Sequence, residues 1–137
     1  MTQQEIFDFV DAQKTAFIAS VDADGFPNMK AMLAPRERDG VTFYFTTNTS
    51  SLRVEQYRNN PKASIYFHHR GRFRYTGVML KGTMQVLTDP ETKERIWRTG
   101  DTMFYKKGVT DPDYCVLQFT AASGRYYQDL KTENVVF

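Results

Sequence analysis

Residues 46–67, TTNTSSLRVEQYRNNPKASIYF, carry the densest chemistry in this chain. Thr46, Thr47, Asn48, Ser50 and Ser51 supply hydroxyl and amide groups, and Arg53 supplies a planar, forked cation. An apolar strand ends there and a short helix begins, so free helix N-terminal amides join the same group. Such a junction suits a phosphate monoester, which takes hydrogen bonds from amides and hydroxyls and a charge-assisted pair from arginine. The same residues also fit a polar loop that caps the helix through Ser50 or Ser51 and leaves Arg53 in water. A cap and an anion site can be one structure.

Lys30 is a second candidate. It lies in PNMKAML between Met29 and Ala31, with Met32 next. If Met29 and Ala31 face the core, Lys30 faces the other way. It then either points into solvent or adds a cation near Arg53, where a phosphate with nearly two charges needs one.

Other chemistry-bearing residues read differently. His68 and His69 are adjacent, so on a strand they point to opposite faces, a poor geometry for one metal ion. Trp97 reads as a core or interface anchor, with ring stacking as the alternative. Cys115, in DYCVLQF, reads as a small buried core residue and has no second cysteine to pair with. Arg70, Arg72 and Arg74 alternate with Phe73 and Tyr75, which fits a solvated hairpin edge as well as a nucleic-acid strip. There is no GxGxxG, Walker loop, GxSxG or HExxH. No acid–base pair stands out, so no catalytic side chain and no metal ligand are assigned.

These groups need a scaffold to position them. The chain has 137 residues, enough for one domain (residues 1–137) with a sizeable core. Aromatics reach 15%, with 11 Phe and 8 Tyr, which favours strands. The net charge of +2 is too small to argue for nucleic acid. The start, MTQQEIFDFV, lacks the basic and apolar regions of a signal peptide, and no segment reaches the roughly 20 apolar residues of a membrane span. A cytoplasmic location is expected.

The patterning predicts a helix over 2–13 that buries Ile6, Phe9 and Val10, with Thr2 as N-cap. Strands are predicted over 15–22, 27–33, 41–46 and 62–68, with turns at Asp24-Gly25 and Asp39-Gly40. A short helix covers 51–59 and stops at Asn60-Pro61. Residues 73–87 form one long strand or two, with bends at Gly77 and Gly82. Asp89-Pro90 opens a helix that runs to about 98. Two strands follow over 114–120 and 124–130, and the tail 132–137 packs through Val135, Val136 and Phe137. Six to eight short strands with inserted helices make a mainly β barrel or sandwich.

The ordered set TAFIASVDADGFPNMKAM, DGVTFYFTTNTSSLRVEQYRNNPKASIYF and TGVMLKGTMQVLTDPETKERIW resembles the pyridoxamine 5′-phosphate oxidase-like family of FMN-binding split barrels. The closest subgroup is that of general stress protein 26-related proteins. The resemblance implies a split β-barrel, bound FMN, and an oxidoreductase acting on an unknown small substrate. It places Lys30, Ala31, Met32, Thr46, Thr47, Asn48, Ser51, Leu52 and Arg53 at positions that bind the cofactor. Lysine is frequent in relatives where this chain has Arg53, and arginine where it has Lys30. Both exchanges keep charge and change geometry.

The resemblance also implies a homodimer with the cofactor between subunits, in which Trp97 and the segment near Tyr114 contact it from the partner. The C-terminal substrate segment of true pyridoxamine phosphate oxidases is missing, so vitamin B6 synthesis is not expected. The alternatives are a binding-only protein for flavin, deazaflavin or haem, a nitroimidazole-resistance-type reductase, and a cofactor-free interaction protein.

Overall fold

The computed structural model describes residues 1–137. Helix α1 (Gln3–Asp11) opens the chain. Thr2 caps it reciprocally: its hydroxyl accepts from the Glu5 amide, and the Glu5 carboxylate accepts from the Thr2 amide. The helix buries Ile6, Phe7 and Val10. Phe7 lies deeper than the expected Phe9, which is half-buried. Phe7 joins the main core beside Phe43, and the chain end covers it, with the Phe137 ring stacked at 5.3 Å between centroids.

Eight antiparallel strands follow: β1 (Thr15–Val21), β2 (Pro27–Leu33), β3 (Glu37–Asp39), β4 (Thr42–Asn48), β5 (Lys62–Arg70), β6 (Tyr75–Leu87), β7 (Tyr114–Gln128) and β8 (Lys131–Val136). Their order is β2-β1-β5-β6-β7-β4-β3, with β8 also paired to β7. Helix α2 (Leu52–Asn59) joins β4 to β5, and α3 (Pro90–Ile96) with a 3-10 turn (Asp101–Met103) joins β6 to β7.

The barrel splits along β7. Its first part, Tyr114–Thr120, pairs with β4, and its second part, Ser123–Gln128, pairs with β8. The expected break between residues 120 and 124 is therefore absent. β7 runs on as one strand because β6 holds it on one side from Val116 to Gln128, with a register shift at Lys81/Gly82. The tail expected only to pack is strand β8. The short β3 was not expected; it is held by β4 alone. The third expected strand is shifted to Thr42–Asn48, since Thr47 and Asn48 still pair with Cys115 and Tyr114.

One side of each central strand fills the interior. Phe43, Phe45, Ile65, Phe67, Val78, Leu80, Leu117 and Phe119 are almost fully buried. Each such side chain contributes about 2–3 kcal/mol of burial. α2 seals one end through Val54 and Tyr57, whose phenol donates to the Ala19 carbonyl at 3.0 Å. Cys115 is wholly buried and burial pushes its thiol up. A second cluster of Ile96, Tyr105, Tyr114 and Val116 holds the β6–β7 connection against the barrel.

Candidate functional site

β2 is one end of the strand order and β4 lies near the other, so a seam separates them. A cavity of about 280 Å³ opens in this seam. β2 and the segment after it line it with Lys30, Ala31, Met32, Leu33, Ala34 and Arg36. β4 contributes Phe45, Thr46, Thr47 and Asn48, α2 contributes Arg53, and the β6–β7 connection contributes Phe104 and Tyr105. Three cations face this cavity and no carboxylate lines it.

The cations differ in their partners. Arg36 forms a two-pronged pair with Asp101, both contacts at 2.8 Å, with side chains only 11% and 6% exposed. Burial works to raise the Asp101 carboxyl. Hydrogen bonds from Arg36 and the Arg98 amide outweigh it and hold the group below its ordinary value. Lys30 is exposed and makes no ion pair. Arg53 is half-buried, and its one side-chain partner is the Thr47 hydroxyl at 2.8 Å. Burial depresses the Arg53 guanidinium, and no carboxylate offsets it.

The turn between β4 and α2 explains this arrangement. Asp113, just before β7, accepts from the Asn48 side-chain amide at 2.9 Å and the Ser50 backbone amide at 2.8 Å. The Asp113 carbonyl takes the Thr49 amide at 2.8 Å. The loop is thus ordered from outside. Ser51 occupies the N-cap position of α2, yet its side chain makes no capping bond. The molecule leaves three buried side-chain polar atoms without a partner: Thr49 Oγ1, Ser51 Oγ and Arg53 Nε. All three lie in this one turn, where the amides of Leu52 and Arg53 also lack intrahelical acceptors, while that of Val54 donates to the Ser51 carbonyl. Buried polar groups are normally satisfied. Donors left over together, beside an unpaired guanidinium, suit an anion.

Of the residues singled out from the sequence, Lys30, Ala31, Met32, Thr46, Thr47, Asn48 and Arg53 line the cavity. Ser51 stands at its helix cap, and Leu52 is 76% exposed in the first helical turn. Trp97 lies elsewhere, at the C-cap of α3, where it meets Tyr114 edge-on with centroids 5.1 Å apart. His68 is exposed and stacks with Tyr66 and Tyr75 on the outer face of β5 and β6. No group of three His, Cys, Asp or Glu side chains could hold a metal ion. Sequence reasoning missed Arg36, Phe104, Asp101 and Asp113. Arg36, directly after the strand-ending Pro35, was the readable signal; the others depend on long-range contacts.

A split barrel of antiparallel strands with a cationic, carboxylate-free cleft in its seam defines the class of this molecule. The chain belongs to the pyridoxamine 5′-phosphate oxidase family, whose model matches residues 2–128. It is similar to a solved protein of Clostridium acetobutylicum related to general stress protein 26 of B. subtilis. The two share 35% identity over 98% of this chain and 94% of that one, with a TM-score of 0.85. The general stress protein 26 of Bacillus anthracis shares the fold, with a TM-score of 0.77 at 16% identity over 98% of each chain. The pyridoxine/pyridoxamine 5′-phosphate oxidase of Caulobacter vibrioides is 34% identical over 74 residues, 54% of this chain and 32% of that protein. The chain spans about a third of the length of the curated relatives it matches.

Proposed function

We propose that this protein binds FMN non-covalently in the β2–β4 seam, as a homodimer, and is an oxidoreductase acting on a small substrate. The observation that carries this reading is the turn at residues 49–53, where the Thr49 and Ser51 hydroxyls and Arg53 Nε are buried without partners and Arg53 has no carboxylate, only the Thr47 hydroxyl. Arg53, Ser51 and Thr47 would hold the phosphate, with Lys30 adding charge. Ala31 and Met32 would border the ring. The residues present fit the group: each unsatisfied atom can donate a hydrogen bond, and the charge is positive.

Bound FMN would supply the redox chemistry, and the chain's own groups bind and shield. No cavity side chain is assigned a proton transfer. The ionisable groups lining it are Lys30, Arg36, Arg53 and Tyr105, and burial raises the Tyr105 phenol so that it stays protonated.

The homodimer is supported by β2. It is an edge strand with Met29 and Leu33 exposed at 74% and 67%, beside a cavity open to solvent. Bare, apolar edges invite a partner. A cytoplasmic location remains part of this reading; no helix is long and apolar enough to cross a membrane. A binding-only flavoprotein and a nitroimidazole reductase would use the same cradle. Turnover with NAD(P)H, with and without a nitroimidazole, separates them.

The test is a thermal melt with and without FMN, beside Arg53→Ala, with a visible spectrum of each sample. A ligand that binds only the folded state raises the melting temperature. A shift present in the wild type and lost in Arg53→Ala supports the site. No shift and no flavin spectrum in the wild type reject FMN.

A further inference from the structure

We infer that Phe104, in the wall of this cavity, recognises the ring of the bound cofactor. This rests on the FMN reading above and adds a residue to it.

Arg53 contacts Thr47, beyond which the chain turns into α2. The Tyr44 carbonyl takes the Arg36 amide at 2.7 Å. Asp101, paired to Arg36, begins the turn that carries Phe104 to the cavity wall. Tyr105, from the same turn, sits beside Thr46.

The turn is fixed on both sides of Phe104. The Asp101 carbonyl accepts from the amides of Phe104 and Tyr105, each at 2.9 Å. Tyr105 is buried and packs on Tyr114 with ring centroids 4.8 Å apart. Phe104 itself remains 54% exposed while lining the cavity. An aromatic ring left half in water, on a backbone pinned by a buried ion pair, is organised in advance for a flat partner. Such a partner gains from stacking or edge contact with it. The cations and the exposed aromatic ring of one cavity together select a planar heteroaromatic ring that bears an anionic tail.

Removing one contact should affect only ligands that use it. The full chain and its Phe104→Ala, Phe104→Tyr and Arg53→Ala variants are titrated with FMN, riboflavin and inorganic phosphate, by flavin fluorescence and calorimetry. Phe104→Ala is expected to weaken FMN and riboflavin by a similar factor, about three- to tenfold, and to leave inorganic phosphate unchanged. Phe104→Tyr restores both flavins. Arg53→Ala weakens FMN and leaves riboflavin alone. Ligand-free melts of the Phe104 variants should match the wild type, because the side chain is largely in water. If Arg53→Ala abolishes FMN binding while Phe104→Ala changes neither flavin's affinity nor its spectrum, the role of Phe104 is overturned and the phosphate site stands. If the wild type binds no FMN, both fall.

Discussion

The Asp113 carboxylate takes the Ser50 backbone amide at 2.8 Å, across 63 residues of sequence. Its other oxygen takes the Asn48 side chain. One residue from the start of β7 thereby sets the turn between β4 and α2, and Ser51 is relieved of ordering its own helix end. The turn is shaped by a side chain from outside it.

Asp113→Ala should therefore loosen the turn without emptying the core. The expected cost is about 1–2 kcal/mol, from two lost bonds to a charged acceptor. A urea titration reads it as a lower midpoint with an unchanged slope. FMN affinity should fall as well, because the donors are no longer held in place. A variant with wild-type midpoint and wild-type affinity would remove Asp113 from the account.

Arg53 should show opposite effects on binding and on the free chain. Its guanidinium is half-buried with no carboxylate, and burial depresses it. Removing a partly desolvated, unpaired charge relieves a penalty. Arg53→Met is expected to leave the ligand-free protein at least as stable, while FMN affinity drops roughly 10- to 100-fold. Chemical denaturation and a fluorescence titration of the same sample check both halves. A large loss of stability without ligand would mean that Arg53 is mainly structural.

The Arg36–Asp101 pair should behave in the opposite way. Its side chains are 11% and 6% exposed, so removing one partner strands the other. Asp101→Asn is expected to cost about 3 kcal/mol. The double variant Arg36→Met with Asp101→Leu should recover part of that loss, and the difference in a double-mutant cycle measures the coupling.

Acid should destabilise the protein through the same carboxylates. The Asp101 and Asp113 values are depressed in the folded state from an ordinary 3.8. Depressed acids contribute stability that is fully present above that ordinary value and is lost as pH falls through their folded values. Denaturation midpoints should be flat in this respect from pH 7 to about 5 and decline below about 4. Asp113→Ala should flatten the decline.

Gly82 should tolerate no side chain. A Cβ there would lie 1.9 Å from the Thr120 carbonyl oxygen, which is backbone at the β6–β7 register shift. Gly82→Ala is expected to cost about 2–3 kcal/mol. At Gly77 the obstacle is the Tyr66 hydroxyl at 2.2 Å, the tip of a side chain that can swing away from its partner Tyr75. Gly77→Ala should cost less, and thermal melts of the two variants rank them.

The sequence by itself determined what local backbone chemistry controls. Asp24-Gly25 and Asp39-Gly40 mark turns, and Gly25 and Gly40 adopt φ of 85° and 60° there. Asn60-Pro61 stops α2, and Asp89 caps α3 by accepting from the Thr92 amide. Strand β2 falls where its apolar run and its Pro35 stop predict. The cluster of hydroxyls around one arginine was also legible, because its members are neighbours in sequence. Tertiary structure alone decided what joins distant residues. β7 is one strand because β6 runs beside it from Val116 to Gln128, a pairing no local signal encodes. Lys30 and Arg53 share a cavity because the barrel brings a sheet edge round toward β4. Arg36 meets Asp101 across 65 residues, and the turn that Asp101 begins carries Phe104 to the cavity wall. Short-range preferences are written in a few adjacent residues. Long-range placement depends on which surfaces the whole chain can bury together.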